Sequence, residues 1–275
     1  VLAGHWTDLD ARTGCTVVIL PEGTVASGEV RGGAPATREF DLLAPERLVS
    51  RLDAVVFSGG SAFGLAAADG VMRWCEEQGR GFATGAGPVP IVVGMSIFDL
   101  LVGDQSGRPT AEHGYLAASG AKAGAHEVGA VGAGTGATFG KWRGRELAKP
   151  GGIAAATARD GVVVVSALVV VNAWGDIDDG TEPSWPETAL TAPEQAFQNT
   201  TIGLIVTNAR LDKVGCLLVA QGGHDGLARS LVPSHGRADG DAMVAAATGV
   251  VEASIDHVRF LATRVVERAV RRIGS

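Results

Sequence analysis

The sequence predicts a mixed α/β fold built as a single domain over residues 1–275. Short apolar runs bounded by turn residues are interspersed with segments of helical period, in an irregular order that no repeated βαβ unit explains. A chain of 275 residues can bury roughly three quarters of its unfolded surface. With 46% hydrophobic and 19% charged residues, it is not a disordered chain.

Taken in order, residues 15–20 and 54–57 are apolar and β-branched and are expected as strands. Residues 61–78, which follow "FSGG", and residues 109–123 have helical character. The segment 152–172, "GIAAATARDGVVVVSALVVVN" after its first Gly, holds two apolar strands around Arg159-Asp160-Gly161, the signal of a hairpin. Residues 175–199 carry six acidic residues, three prolines and no basic residue, which predicts a long exposed acidic loop. The run 202–206 is short, β-branched and turn-bounded, hence a buried strand with Asn199, Thr200 and Thr201 at its entry. Over 251–273, Val251, Ile255, Val258, Ala262, Val265, Ala269 and Ile273 repeat at helical spacing, with Arg268, Arg271 and Arg272 complementing the helix end.

Bulk charge narrows the function. A net charge of −7 argues against nucleic acid, whose phosphates need a basic surface. Cys15, Cys75 and Cys216 are scattered and form no CxxC, so reduced thiols in a cytoplasm are expected. No apolar run is long enough to span a bilayer as a helix, and no membrane partner is expected. The sequence opens on Val1, which leaves any preceding segment open.

Several motifs fail on inspection. "SGGSAFG" (58–64) sits between strand and helix as a nucleophile elbow would, but Phe63 stands where the second glycine is required, so Ser61 is expected near a helix N-cap. "GAGTGATFGKW" (134–142 from its second Gly) lacks the first glycine and the Ser or Thr of a phosphate loop; it leaves a Gly-rich segment carrying Lys141. "DIDDG" (176–180) is one residue short of a calcium loop and reads as acidic surface. The six histidines form no zinc pattern. Asp239 and Asp241 in "ADGDAM" share a face if extended, and form a polar turn at Gly240 otherwise.

One ordered set remains: "GHWTD" (4–8), "TGCTVV" (13–18), "RGGAP" (31–35), "GGSAFGL" (59–65), "VPIV" (89–92), "GTGATFGKW" (134–142), "VVVNAWGDI" (169–177), "NTTIG" (199–203) and "DGD" (239–241). Together these resemble the family of L-aminopeptidase/D-amidase-esterases, β-aminopeptidases and nylon-oligomer (6-aminohexanoate-oligomer) hydrolases. The resemblance implies a four-layer αββα sandwich similar to N-terminal nucleophile hydrolases. It also implies a precursor that cuts itself between Asn199 and Thr200, giving an α chain, residues 1–199, and a β chain, residues 200–275.

By that resemblance Thr200 is the nucleophile. Its freed α-amine, with a reference pKa of about 7.7 to 8.0, can accept its hydroxyl proton, so no histidine, metal or organic cofactor is required. Asn172 corresponds to an oxyanion-binding Asn, Lys141 to an active-site Lys of the nylon-oligomer branch, and Asp239 and Asp241 to that branch's acidic pair, expected to orient Thr200 and its ammonium. Phe98 stands where some members have Tyr, and the chain's single Tyr is Tyr115. The implied substrates are small peptides or ω-amino-acid oligomers, and the implied assembly is a homo-oligomer, a tetramer of αβ protomers. Two alternatives share these residues: an acyltransferase of the ornithine acetyltransferase type using the same acyl-Thr, and a non-catalytic binding module on the same fold.

Overall fold

The computed structural model describes residues 1–180 and 199–274. Ten strands build its two main sheets: β1 Leu2–Asp8, β2 Thr13–Ile19, β3 Val25–Val30, β4 Thr37–Arg38, β5 Ala54–Ser58, β6 Val92–Ser96, β7 Gly152–Asp160, β8 Val163–Asn172, β9 Thr200–Ala209 and β10 Ala242–Val251. The first sheet has the order β1-β2-β5-β6-β4 and the second β7-β8-β9-β10-β3. Each is antiparallel except for one central parallel pair, β5 with β6 and β9 with β10. The helices are α1 Ala67–Glu77, α2 Ala111–Ser119, α3 Lys213–Ala228 and α4 Ile255–Arg271.

Alternation along the strands divides the apolar residues into three cores. Cys15, Val17 and Ile19 of β2 pack outward with Val71 and Ala117 of α1 and α2. Val18 of β2 packs inward with Leu168 and Val170 of β8 and with Ile202 and Leu204 of β9. Val165, Val169 and Val171 of β8 then pack outward against Val219 of α3 and Val265 of α4. Helices, sheet, sheet, helices: the layering is the expected αββα sandwich, and both faces of both sheets are covered.

Local departures from the expected elements have physical causes. The segment 61–78 is a 3₁₀ turn, Ser61–Ala66, followed by α1; Gly60 takes the left-handed cap and Ser61 itself has φ 54°, so Ser61 is not an N-cap. The hairpin forms as expected, but its turn is Gly161-Val162, with Gly161 at φ 57°. Val251 closes β10, and the last helix starts only at Ile255, because Val251 is claimed by pairing with Ala209 of β9. Arg268 and Arg271 lie in the last turn of α4 as expected, and with Arg272 they also reach out to the Thr157, Asp178 and Ala155 carbonyls.

Helix α3 lacks a sequence signal because it is rich in glycine. A Cβ at Gly222 would stand 2.9 Å from the Arg259 carbonyl and one at Gly226 2.6 Å from that of Thr263, so the glycines allow α4 to approach closely. Of the expected acidic loop, Asp176–Ile177 instead pairs with Leu231–Val232. Residues 181–198 of that loop lie outside the described residues.

Candidate active site

Strand β9 starts at Thr200, and its alternation places Thr200 on the same side as Ile202 and Leu204, facing between the sheets. The parallel pairing with β10 extends backwards as a bridge between Asn199 and Asp239. Through it the Gly240 amide donates to the Asn199 carbonyl at 2.9 Å. The Thr200 hydroxyl donates to that same carbonyl oxygen. Asn199 and Thr200 are both buried, so this junction is shielded from bulk water.

Asn172 ends β8 directly opposite Thr200. Its Oδ1 accepts from the Thr138 amide at 3.0 Å and from Lys141 Nζ at 3.0 Å, and its Nδ2 donates to the Phe98 carbonyl at 3.1 Å. An amide nitrogen carries two protons, so a second remains for another acceptor. Lys141 Nζ also donates to the Asn172 carbonyl at 3.1 Å. Phe98 thus belongs to the site through its backbone, an interaction indifferent to whether the ring carries a hydroxyl.

Lys141 arrives on residues 140–142, whose amides bond to the carbonyls of Trp174 and Gly175. Gly140 supports that path at φ 76°, where a side chain is disfavoured. Asp176 fastens the same segment, accepting from Trp142 Nε1 and from Arg143, each at 2.7 Å. This partly buried carboxylate is therefore a brace for the Lys141 segment, which corrects its reading as surface. Burial lowers the Lys141 ammonium to about 7, against the opposing pull of Asp239. Lys141 is a buried lysine, where the sequence left a solvated one open.

Asp239 and Asp241 are both buried and flank Gly240. Asp239 accepts from the Trp174 amide at 3.3 Å and the Gly236 amide at 3.1 Å. Its carboxyl is raised to about 7 by burial first and by the neighbouring Asp241 second, with Lys141 opposing. Asp241 accepts from the Thr201 amide at 2.7 Å through Oδ1 and from His235 Nδ1 at 2.8 Å through Oδ2. The "RGG" turn clasps this segment: the Arg31 amide donates to the Asp241 carbonyl and that of Ala34 to the Asp239 carbonyl. A Cβ at Gly32 would lie 2.3 Å from the Asp241 nitrogen, so the turn must be bare there.

The structure therefore gathers Asn199, Thr200, Asn172, Lys141, Asp239 and Asp241 at one end of the sandwich. It adds Gly240, Trp174, His235 and the Phe98 carbonyl; of these the sequence tied only Phe98 to the site, and by its ring position rather than its backbone. Gly240 was visible only as a turn residue, and His235 only as one of six scattered histidines. Among the described residues, no three His, Cys, Asp or Glu side chains stand grouped to hold a metal.

This arrangement can be set beside known proteins. The model of peptidase family S58 matches residues 1–272. The chain belongs to peptidase family S58. It is similar to an uncharacterized aminopeptidase of Mycobacterium leprae, 45% identical over 288 residues, covering 92% of this chain and 78% of that protein. It is also similar to the 6-aminohexanoate-oligomer endohydrolase of an Agromyces strain, 30% identical over 273 residues, covering 91% of this chain and 73% of that one. Among solved structures it resembles the L-aminopeptidase D-Ala-esterase/amidase of Ochrobactrum anthropi, with a TM-score of 0.73 at 18% identity, covering 98% and 82% of the two chains. That protein is described as a variant among the N-terminal nucleophile hydrolase fold, and this S58 chain shares its architecture. This S58 member is a hydrolase of peptide or amide bonds.

Proposed function

We propose that this S58 hydrolase matures by cutting its own chain between Asn199 and Thr200, and that Thr200 then hydrolyses amide bonds through an acyl-Thr200 intermediate. One observation carries the reading: the Thr200 hydroxyl and the Gly240 amide converge on the Asn199 carbonyl in a buried site. Attack of Oγ1 on the Asn199 carbon forms the C–O bond and moves charge onto the carbonyl oxygen. The Gly240 N–H is placed to stabilise that charge. The hydroxyl proton passes to Lys141, whose ammonium burial lowers to about 7 and on which Asp239 acts electrostatically. The C–N bond then breaks as the Thr200 nitrogen takes up a proton, leaving an ester. Water hydrolyses the ester to an Asn199 carboxylate and a free N-terminal Thr200, giving chains 1–199 and 200–275 of one catalytic domain.

An acyl group carried by Thr200 in turnover stands where the Asn199 acyl group stood during maturation. The same Gly240 donor, with the remaining Asn172 amide proton and Lys141, serves both reactions, and the freed α-amine supplies the base. Asp239 and Asp241 offer negative charge beside the new ammonium. We expect small peptides with a free amino terminus or ω-amino-acid oligomers as substrates, in line with the names of the relatives. The same resemblance leads us to expect a homo-oligomer, a tetramer of αβ protomers. No described helix is long and apolar enough to cross a membrane, and the three cysteines are buried free thiols, which supports a cytoplasmic setting.

The test is the intact mass of freshly purified protein under denaturing conditions, with N-terminal sequencing of the smaller fragment. Two chains, the second starting Thr200-Thr201-Ile202, are expected, and Thr200→Ala should abolish both cutting and amide hydrolysis. A Thr200→Ala protein that still turned over an amide would overturn the mechanism. Added amines as acyl acceptors separate hydrolysis from acyl transfer.

A further inference from the structure

His235 lies outside the reacting atoms yet makes the closest side-chain contact to Asp241. Its backbone amide and its Nδ1 both reach Asp241 Oδ2, at 3.2 and 2.8 Å. Reaching one oxygen with both groups needs an unusual backbone, and His235 has φ 57°, the left-handed region that few residues other than glycine adopt. Such a conformation at a site has to be held by its surroundings. On the far side of the ring, Nε2 faces the His224 carbonyl at 3.3 Å.

Both ring nitrogens therefore face acceptors. A carboxylate and a carbonyl can only accept, and only the imidazolium donates from both nitrogens. The charged and titratable groups around the ring agree with this. Asp241 faces it directly, with Asp239 two residues away; Arg31 approaches from the turn after β3, bound to Glu29 and Asp225. His224 of α3 meets the ring edge-on at 4.9 Å, is held near 4 by burial and is neutral, donating Nε2–H to the Glu29 carbonyl. Burial of His235 is the largest single influence and disfavours its charge, but the bond to Asp241, the charge of that carboxylate and the His224 carbonyl together outweigh it, and the net shift is upward.

We infer that His235 is a positioning residue for the nucleophile: it clamps Asp241 Oδ2 so that Oδ1 holds the Thr201 amide and thereby fixes the backbone that aims Thr200. The inference rests on the Thr200 reading above. The chain of contacts is continuous, from the His224 carbonyl through His235 and Asp241 to the residue beside the nucleophile. Asp241 has both oxygens committed in this way, so it sets geometry in the site as well as offering charge. A displacement of about 1 Å at a nucleophile can cost on the order of 100-fold in rate.

The experiment compares wild type, His235→Ala, His235→Asn and Thr200→Ala. Asparagine tolerates the left-handed backbone and presents its amide nitrogen where Nδ1 stands, but it cannot titrate. Self-cleavage is followed by intact mass during cell-free synthesis, and turnover of a peptide p-nitroanilide gives kcat and KM over pH 5–9. His235→Ala is expected to slow cutting and lower kcat by about 10- to 100-fold with KM little changed. His235→Asn is expected to restore both to within about 3-fold and to flatten the part of the pH profile that His235 contributes. Wild-type rates in His235→Ala, or equal damage in both variants, would overturn the inference while leaving the Thr200 reading standing. An active Thr200→Ala protein would instead overturn the Thr200 reading and the inference with it.

Discussion

Thr200 and Gly240 are neighbours across the parallel pair β9 and β10, and the missing side chain of one makes room for the hydroxyl of the other. A Cβ on Gly240 would lie 2.8 Å from Thr200 Oγ1 and 2.7 Å from the Ala34 carbonyl. Gly240 also holds the Asn199 carbonyl with its amide. It therefore acts twice, through an atom it has and through one it lacks.

Gly240→Ala tests both parts. The added methyl must push either the Thr200 hydroxyl or the 31–35 turn, so self-cleavage is expected to slow by about 10- to 100-fold. The half-time of conversion to two chains, read by intact mass, measures this directly. Conversion at the wild-type rate would show that the close approach is immaterial.

Asn172→Ala removes an expected oxyanion donor and also the Oδ1 that receives Lys141 Nζ. A fall in kcat of about 10²- to 10³-fold is expected, as for loss of one such donor. Steady-state turnover of the cut enzyme, with a folding check by circular dichroism, gives the answer. A change confined to KM would instead mean that Asn172 only binds substrate.

Stability of the uncut chain should depend on pH in two opposite ways. Asp239 is raised to about 7 in the fold, so below the usual carboxylate range its stabilisation is complete, and it is lost as pH rises to about 7. Lys141 is lowered to about 7, so the unfolded chain binds the extra proton above that pH, and stability rises from about 7 towards the ordinary lysine value. Melting temperatures of Thr200→Ala, alone and combined with Asp239→Asn or Lys141→Met, separate the two. Asp239→Asn should remove the acidic-side slope and Lys141→Met the alkaline one.

Asp176 touches none of the reacting atoms but braces the segment that delivers Lys141. Asp176→Ala leaves the Trp142 indole N–H without this acceptor, for a cost of about 1 to 3 kcal/mol. Lower thermal stability is expected together with a drop in kcat of about 10-fold, while KM stays near its original value. Unchanged kcat at full folding would separate the brace from the chemistry.

Much of this protein could be read along the chain. Periodicity identified the hairpin 152–172, the strands 15–20 and 54–57, and the body of the last helix, because each depends on residues close in sequence. The Gly-rich helix α3 could not be read that way, since its glycines answer to Arg259 and Thr263, far along the chain. The start of the last helix was misplaced for a similar reason: Val251 satisfies helical spacing, but strand pairing across β10 claims it.

By itself, the sequence determined the candidates for chemistry: a Thr at a strand entry, a Lys after glycines, an Asn closing an apolar strand and two Asp around a glycine. Covalent capability and local pattern reside in the residues themselves. Only the tertiary structure decided that Asn172 stands opposite Thr200, that burial brings Lys141 and Asp239 toward neutrality, and that Asp176 and His235 serve the site from outside it. Strand register, desolvation and hydrogen bonds between distant segments are properties of the assembled sandwich, and none is encoded in the spacing of neighbours.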